Sequence, residues 1–302
     1  MGINQPLWGI DLGGTKIEGA ILHSANTSDH SSRLRVPTEA GEGYEHILSQ
    51  IEKLVNLMRE DSGLTPAGIG IGTPGVLDPK TGLLKNSNTL CLNQRPVRDD
   101  ISHRLGIPVR MANDANCFAL AEATLGAAKG EYCVFGMILG TGAGGGVIVN
   151  GHALGGRHGI GGEWGHNVIE PGGAPCYCGQ NGCVETVISG TGLQRYYAEI
   201  SGQSRKLPEI VRLAETGQDE HAVATIERLK HYFAKGLGAI INILDPDTVV
   251  IGGGVGNLDL LYTDTVREDI LRYVFNPTLE TPILKPTLGD SAGVFGAALL
   301  LA

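Results

Sequence analysis

The 302-residue chain is poor in charge, with 18% of its residues Asp, Glu, Lys or Arg, and basic residues are fewer than acidic ones, 23 against 32. The resulting net charge of −9 argues against a broad grip on nucleic acid, because neutralising a phosphate backbone requires clustered Lys and Arg. A small local phosphate site is still allowed. The opening stretch MGINQPLWGIDLGG has no basic segment followed by an apolar one, and no unbroken apolar run reaches the about 20 residues of a membrane span. The expectation is a cytoplasmic protein with no nucleic-acid or membrane partner. Cysteine is scarce, six in all, and in a reducing compartment a cluster of them points to a metal before a disulfide framework. A Walker A loop, G-x-x-x-x-G-K-[ST], is absent.

What is plentiful is glycine, 46 residues gathered in short runs, a distribution that suggests tight turns and close ligand approach rather than a flexible linker. Hydrophobic residues at 42% describe a globular chain, and the length suits roughly two ordinary domains.

Residues 7–22, LWGIDLGGTKIEGAIL, alternate apolar with small or polar positions around Gly13-Gly14 and predict two antiparallel strands joined by a tight turn. RLRVPT offers a third strand. Ile47, Leu48, Ile51, Leu54, Val55 and Met58 follow helical spacing. AGIGIGTPG and PVRMAND read as short buried strands ending in loops, and a helix starts after Asp114. A second strand block, EYCVFGMILGTG and AGGGVIVNG, is followed by predicted helices over 186–199, 206–216 and about 220–244, then by the strand TVVIGGG and a final small-residue helix. A Gly-rich hairpin thus opens each half, which predicts two related α/β lobes with a cleft between them. The lobes are expected over 1–113, joined by the helix at about 290–302, and over 114–289.

Gly70 to Gly75 and Gly140 to Gly145 both fit G-x-G-x-x-G. The dinucleotide fingerprint requires strand, turn and helix, and here one match runs into another strand while the other contains Pro74. Hairpin turns fit better. The turns at Asp11-Leu12-Gly13-Gly14-Thr15-Lys16 and at Gly140-Thr141-Gly142, with Gly144 beyond it, are expected to face each other across a phosphate. Their glycines admit backbone N–H groups, Thr15 and Thr141 add hydroxyls, and Lys16 adds positive charge. Asp11 suits a hydrated Mg²⁺. Gly252, Gly253 and Gly254, after a third strand, add to this phosphate-binding set. The plainer alternative is that each is an ordinary tight hairpin.

IDLGGTK, NDANCFALAEA, LGTGAGGG, EWGH, CYCGQNGCVE and DPDTVVIGGG, in this order along the chain, resemble the successive signatures of the ROK family of sugar kinases and related repressors. The resemblance implies an α/β, two-lobed, actin-like (ribonuclease H-like) ATPase fold with the active site in the interlobe cleft, ATP between the lobes and the last helix returned to the N-terminal lobe. In VRMANDANCFALAEA, Asn113 and Asp114 suit helix capping. The resemblance instead makes Asp114 the general base that takes the proton of a sugar hydroxyl, with Asn113 binding the sugar.

Cys176, Cys178 and Cys183 form C-x-C-x4-C, and His166 stands ten residues ahead. Three thiolates and an imidazole satisfy tetrahedral Zn²⁺ with no open position, so a structural metal is expected. A redox pair is disfavoured by the C-x-C spacing. Such a metal would pin Glu163 and Glu185 on Gly-rich chain. In the family resembled, these glutamates and His166 contact the sugar; the plainer reading is two solvated surface acids. Gly75, Asn86 and Asn88 lie in loops expected to line the sugar pocket.

The expected activity is an ATP-dependent hexose kinase acting on the primary 6-hydroxyl, with fructose first and mannose or glucose also accepted. LKNSNTLCLNQRPVRDDISHRLG and APCYCGQNGCVETVISGTG resemble fructokinases or mannokinases. NDANCFALAEA and MILGTGAGGGVI resemble N-acetylglucosamine kinases equally, which makes that sugar the alternative. The repressors carry a helix-turn-helix ahead of the fold, for which the early glycine hairpin leaves no room. A noncatalytic sugar sensor is the alternative of another class. The resemblance also admits a homodimer, although no interface motif stands out.

Overall fold

In the structure, a computed structural model that describes residues 5–302, the alternation around Gly13-Gly14 becomes an antiparallel hairpin of β1 (Leu7–Leu12) and β2 (Lys16–Leu22), with Leu12 opposite Ile17. β3 (His30–Pro37) pairs antiparallel with β2. Helix α1 (Tyr44–Ser62) buries Ile47, Leu48, Ile51, Leu54, Val55 and Met58, the stripe its sequence spacing predicts. Those side chains join Trp8, Ile10, Ile69 and Ile71 in one core. Burial of this stripe, rather than helix propensity, is what holds such a helix in place.

β4 (Ile69–Thr73) runs parallel to β1, a two-strand hairpin of β5 (Val76–Leu77) and β6 (Leu84–Lys85) follows, and α2 (Val97–Leu105) leads into β7 (Val109–Asn113), parallel to β4. The sheet order is β3-β2-β1-β4-β7. Parallel register sets Asp11 beside Gly72 and Thr73 beside Asn113. The carboxyl ends of three neighbouring strands therefore carry Asp11, Thr73 and Asn113, the edge where open α/β sheets place their ligands. α3 (Asp114–Thr124) starts at once, capped by the Asn113 side chain, which accepts from the Asn116 N–H at 2.9 Å.

The chain divides into two compact units. The first runs to Tyr132 and resumes over Gly146–Gly162 and Thr287–Ala302; the second comprises Cys133–Gly145 and Glu163–Pro286. This differs from the division at 113/114 expected from chain order. α3 belongs to the first unit, and Gly296 of a late helix approaches its Cys117 carbonyl so closely that a Cβ there would lie 1.7 Å from the oxygen. A boundary at the strand end separates two elements that glycine allows to pack as one.

The second unit begins with β8 (Cys133–Leu139). Its sheet neighbour β9 (Ala143–Val149) contributes three residues here and continues into the first unit, where β10 (His152–Ala153) pairs with its far end. The helix expected over 186–199 is two helices, α4 (Val184–Ile188) and α5 (Gly190–Ser201). Ser189 between them is extended, and its hydroxyl caps α5 by accepting from the Gly192 N–H. α6 (Leu207–Glu215) and α7 (Glu220–Leu244) follow, the latter capped by Asp219. β11 (Thr248–Gly252) lies parallel to β8 with Gly252 beside Ile138, and α8 (Gly253–Gly256) follows directly. After α9 (Asp264–Leu271), β12 (Ile283–Leu284) pairs parallel with β11. The chain then re-enters the first unit as α10 (Ala292–Leu299). Among the described residues no helix is long and apolar enough to cross a membrane.

Candidate active site

In the first unit, the β1–β2 turn closes with the Gly13 N–H donating to the Lys16 carbonyl at 3.0 Å. Gly14, Thr15 and Lys16 are exposed. Lys16 is not a solitary cation: its Nζ lies 3.2 Å from Glu18, a buried carboxylate that also receives Arg33 and Arg35. Burial pushes the Glu18 carboxyl up, but hydrogen bonds from Arg35, Arg33 and Lys16 outweigh it and hold the group below its ordinary value. Lys16 is thus one of three cations on Glu18, and its side chain stays half exposed.

Asp11 is half-buried at the end of β1, and a Cβ on Gly293 would lie 3.1 Å from its Oδ2. Burial raises its pKa from 3.8 to about 6, reinforced by the charges of Asp114 and Glu18 and opposed by Lys16. Such a carboxylate gains from a nearby cation, which fits a hydrated Mg²⁺. Asp114 still reaches solvent, yet the protein packed around it raises its pKa, against the pull of the Ala115 N–H at 2.8 Å. Asn113 beside it is buried.

The loops flanking the β5–β6 hairpin carry the remaining first-unit candidates. Gly75 has φ +155°, and a Cβ there would stand 2.9 Å from the Lys85 carbonyl and 3.0 Å from Ser87 Cβ, so only glycine fits. Asn86 is in the left-handed region and Asn88 is exposed. This loop is clamped by Asn93, whose side chain accepts from the Ser87 N–H and donates to the Ser87 carbonyl, both at 2.9 Å. No sequence pattern singled out Asn93; a side chain that bonds a loop six residues away leaves no periodic signal.

In the second unit, β8 and β11 run parallel; β8 leads into Gly140 and β11 ends at Gly252. A Cβ on Gly253 (φ +87°) would lie 2.3 Å from the Leu139 carbonyl and 2.9 Å from the Gly140 N, while Gly254 faces open space. The Gly140–Gly142 turn is fastened by the Gly190 N–H to the Gly140 carbonyl at 2.7 Å and by the Thr191 hydroxyl to the Thr141 carbonyl at 2.6 Å. The Gly144 carbonyl accepts the Trp164 indole N–H at 2.9 Å, and Gly165 abuts Ala143. Trp164, unremarked within EWGH, is thus the anchor that ties this turn to the loop bearing Glu163 and His166. A buried tryptophan with a polar tip needs such a partner.

His166, Cys176, Cys178 and Cys183 bring their ligand atoms within 4.8 Å of one another. The Cys176 Sγ to His166 Nδ1 distance is 3.5 Å and the Cys178 to Cys183 Sγ distance is 3.6 Å. A tetrahedral Zn²⁺ with bonds of about 2.3 Å has ligand edges of about 3.8 Å, so the donor set is compatible with it. Nδ1 faces the thiols, and Nε2 is 3.0 Å from the Tyr177 hydroxyl. Behind this loop, Glu170 takes two hydrogen bonds of 2.6 Å from Arg228 and one of 3.0 Å from Tyr232. Glu163 is half-buried at the start of the turn Trp164–His166, and Glu185 accepts from the Ala143 N–H at 3.1 Å.

The sequence pattern of the ROK family matches residues 7–302. The chain belongs to the ROK family. This ROK protein is 36% identical over 306 residues to the N-acetyl-D-glucosamine kinase of Histophilus somni (strain 129Pt), with 97% of this chain and 98% of that protein covered. The crystal structure of a ROK hexokinase from Thermus thermophilus superposes with a TM-score of 0.88 at 35% identity, covering 98% of this chain and 97% of the other. A ROK family glucokinase from Streptomyces griseus, solved with glucose and AMPPNP, gives a TM-score of 0.78 at 29% identity over 98% and 99%. The α/β, actin-like ATPase fold expected of this ROK chain is thereby shown.

Proposed function

We propose that the protein is an ATP-dependent sugar kinase that transfers the γ-phosphate of ATP to the primary 6-hydroxyl of N-acetylglucosamine. The observation that carries the reading is Asp114, an exposed carboxylate fixed where β7 turns directly into α3. A strand end leading into a capped helix aims the group rigidly, and burial of its surroundings raises its affinity for a proton. In the reaction Asp114 accepts the proton of the sugar hydroxyl as that oxygen attacks the γ-phosphorus. Asn113, Gly75 and Asn88 position the sugar, together with Glu163, His166 and Glu185.

Phosphoryl transfer asks the protein for alignment and neutralisation of charge. The Gly13-Gly14 and Gly140-Thr141-Gly142 turns offer backbone N–H groups to phosphate oxygens, with Thr15, Lys16, Gly144, Gly253 and Gly254 around them. Mg²⁺, held through Asp11, would neutralise charge on the phosphates. Zn²⁺ on His166, Cys176, Cys178 and Cys183 would be structural, fixing the loop from which Glu163 and Glu185 project.

Identity to an N-acetyl-D-glucosamine kinase over nearly both full lengths favours this sugar over the fructose expected from the sequence alone. A broader hexokinase is the second reading, supported by the 35% identity to the Thermus thermophilus hexokinase. A coupled ATP assay over N-acetylglucosamine, glucose, mannose and fructose decides. The highest kcat/KM is expected on N-acetylglucosamine; comparable values on glucose and mannose would install the hexokinase reading, and no turnover on any sugar would point to a sensor.

A further inference from the structure

A groove of about 630 Å³ in the first unit is lined by Gly14 and Thr15 of the β1–β2 turn and by Asn88, Thr89 and Cys91 of the loop after β6. Thr89 is only 7% exposed. It stands immediately before the 3₁₀ turn Leu90–Leu92, where a threonine ordinarily spends its hydroxyl on a free backbone N–H, yet it makes no such cap. Its main chain is fully used. The Thr89 N–H donates to Ser87 Oγ at 3.1 Å and its carbonyl accepts from the Leu92 N–H at 3.0 Å. The hydroxyl has no hydrogen-bond partner among the described residues. The hydroxyl oxygen is not sealed from solvent; it opens on the groove, and Oγ1 would be the nearest atom, at 3.9 Å, to a Cβ placed on Gly14.

We infer that Thr89 is a substrate-contacting residue whose hydroxyl donates to an oxygen of the phosphoryl group held at the Gly13-Gly14 turn. The inference rests on the kinase reading above and adds a residue to it. Several features fit a phosphoryl ligand. Gly14 presents backbone without a side chain, so an oxygen can lie between it and Thr89. The Asn93 clamp on Ser87 holds the loop in place before any ligand arrives, which spares reorganisation when charge moves onto the transferred group. Asn88, the proposed sugar contact, is the preceding residue in the same groove, so Thr89 sits at the passage from phosphate donor to sugar acceptor. A hydroxyl bonded to a charged oxygen is worth more than a neutral pair.

The test measures kcat/KM with ATP and N-acetylglucosamine, together with Tm, for the wild type, Thr89→Val, Thr89→Ala and Thr89→Ser. Removing the hydroxyl should lower kcat/KM by about tenfold to a hundredfold. Because the hydroxyl is unpaired within the protein, Thr89→Val should keep or raise Tm, and a merely structural threonine would lower it instead. Thr89→Ser should retain most of the activity. An active wild type matched by both Thr89→Val and Thr89→Ala overturns the inference and leaves the kinase reading standing. A wild type inactive on every sugar removes both.

Discussion

Glu185 accepts a hydrogen bond from the Ala143 N–H at 3.1 Å, and its Oε2 stands 2.4 Å from where a Cβ on Gly142 would lie. The proposed sugar-binding carboxylate and the proposed phosphate-binding turn are therefore one packed assembly within the second unit. A methyl group at 142 would displace Glu185, a side chain that can swing, rather than the backbone.

Gly142→Ala should accordingly raise the sugar KM by about tenfold or more while changing Tm little, because the clash is relieved by a movable carboxylate and not by the core. Steady-state kinetics and a thermal melt on one preparation check both halves. A large drop in Tm with unchanged KM would mean that Glu185 does not meet the sugar.

Asp114→Asn should lower kcat by roughly 10²–10⁴-fold, the range for losing a general base. Sugar affinity, measured by calorimetry, should stay within a few-fold, since the amide keeps the shape and the α3 start is capped by Asn113 rather than by residue 114. Near-normal turnover would remove Asp114 from the chemistry.

Asp11 predicts opposite pH dependences for stability and activity. Its folded-state pKa of about 6 lies above the ordinary 3.8, so the folded chain holds this proton more tightly than the unfolded one. The stability this confers is complete below about pH 4 and is lost as the pH rises through about 6. Asp11→Asn should therefore stabilise the protein at pH 8, by on the order of 2 kcal/mol. The same substitution removes the carboxylate proposed to hold Mg²⁺, and activity should fall. Wild-type activity, which needs the ionised form, should decline as the pH drops below about 6. Denaturant melts and rate profiles over pH 5–8 test the pair; a destabilised Asp11→Asn at pH 8 would contradict the burial argument.

Zinc removal by a strong chelator should lower Tm and weaken sugar binding together. Cys178→Ser, at the exposed cysteine of the proposed zinc set, should reduce bound zinc measured by atomic absorption and reproduce both losses. Full sugar affinity in a metal-free, folded protein would dissociate the cysteine loop from the site.

Much of this organisation was legible in local sequence. Alternation around Gly13-Gly14 marked the hairpin, helical spacing from Ile47 to Met58 marked α1, and the C-x-C-x4-C run with His166 marked a donor set whose atoms do converge. Other features have no local signal. The two-residue strands Val76–Leu77 and Leu84–Lys85 are too short for periodicity. Glu122 is fully buried and accepts from the N–H groups of Ala127, Thr287 and Leu288. Its partners lie up to 166 residues away, as does the helix that assigns α3 to the first unit. The sugar preference has no local signal either, because the stretches quoted for fructose and for N-acetylglucosamine do not say which hydroxyl or acetamido group they would meet.

The return of α10 bears on how the protein is made. Gly9 and Gly70 of β1 and β4 leave room for its backbone, with a Cβ on either lying 2.2 Å from the Val294 oxygen or 1.8 Å from that of Ala297. During synthesis those two strands leave the ribosome with a bare face, and its cover is translated more than 200 residues later. The nascent chain must carry that unfinished surface until α10 has been made, so the first unit cannot complete its native packing before then.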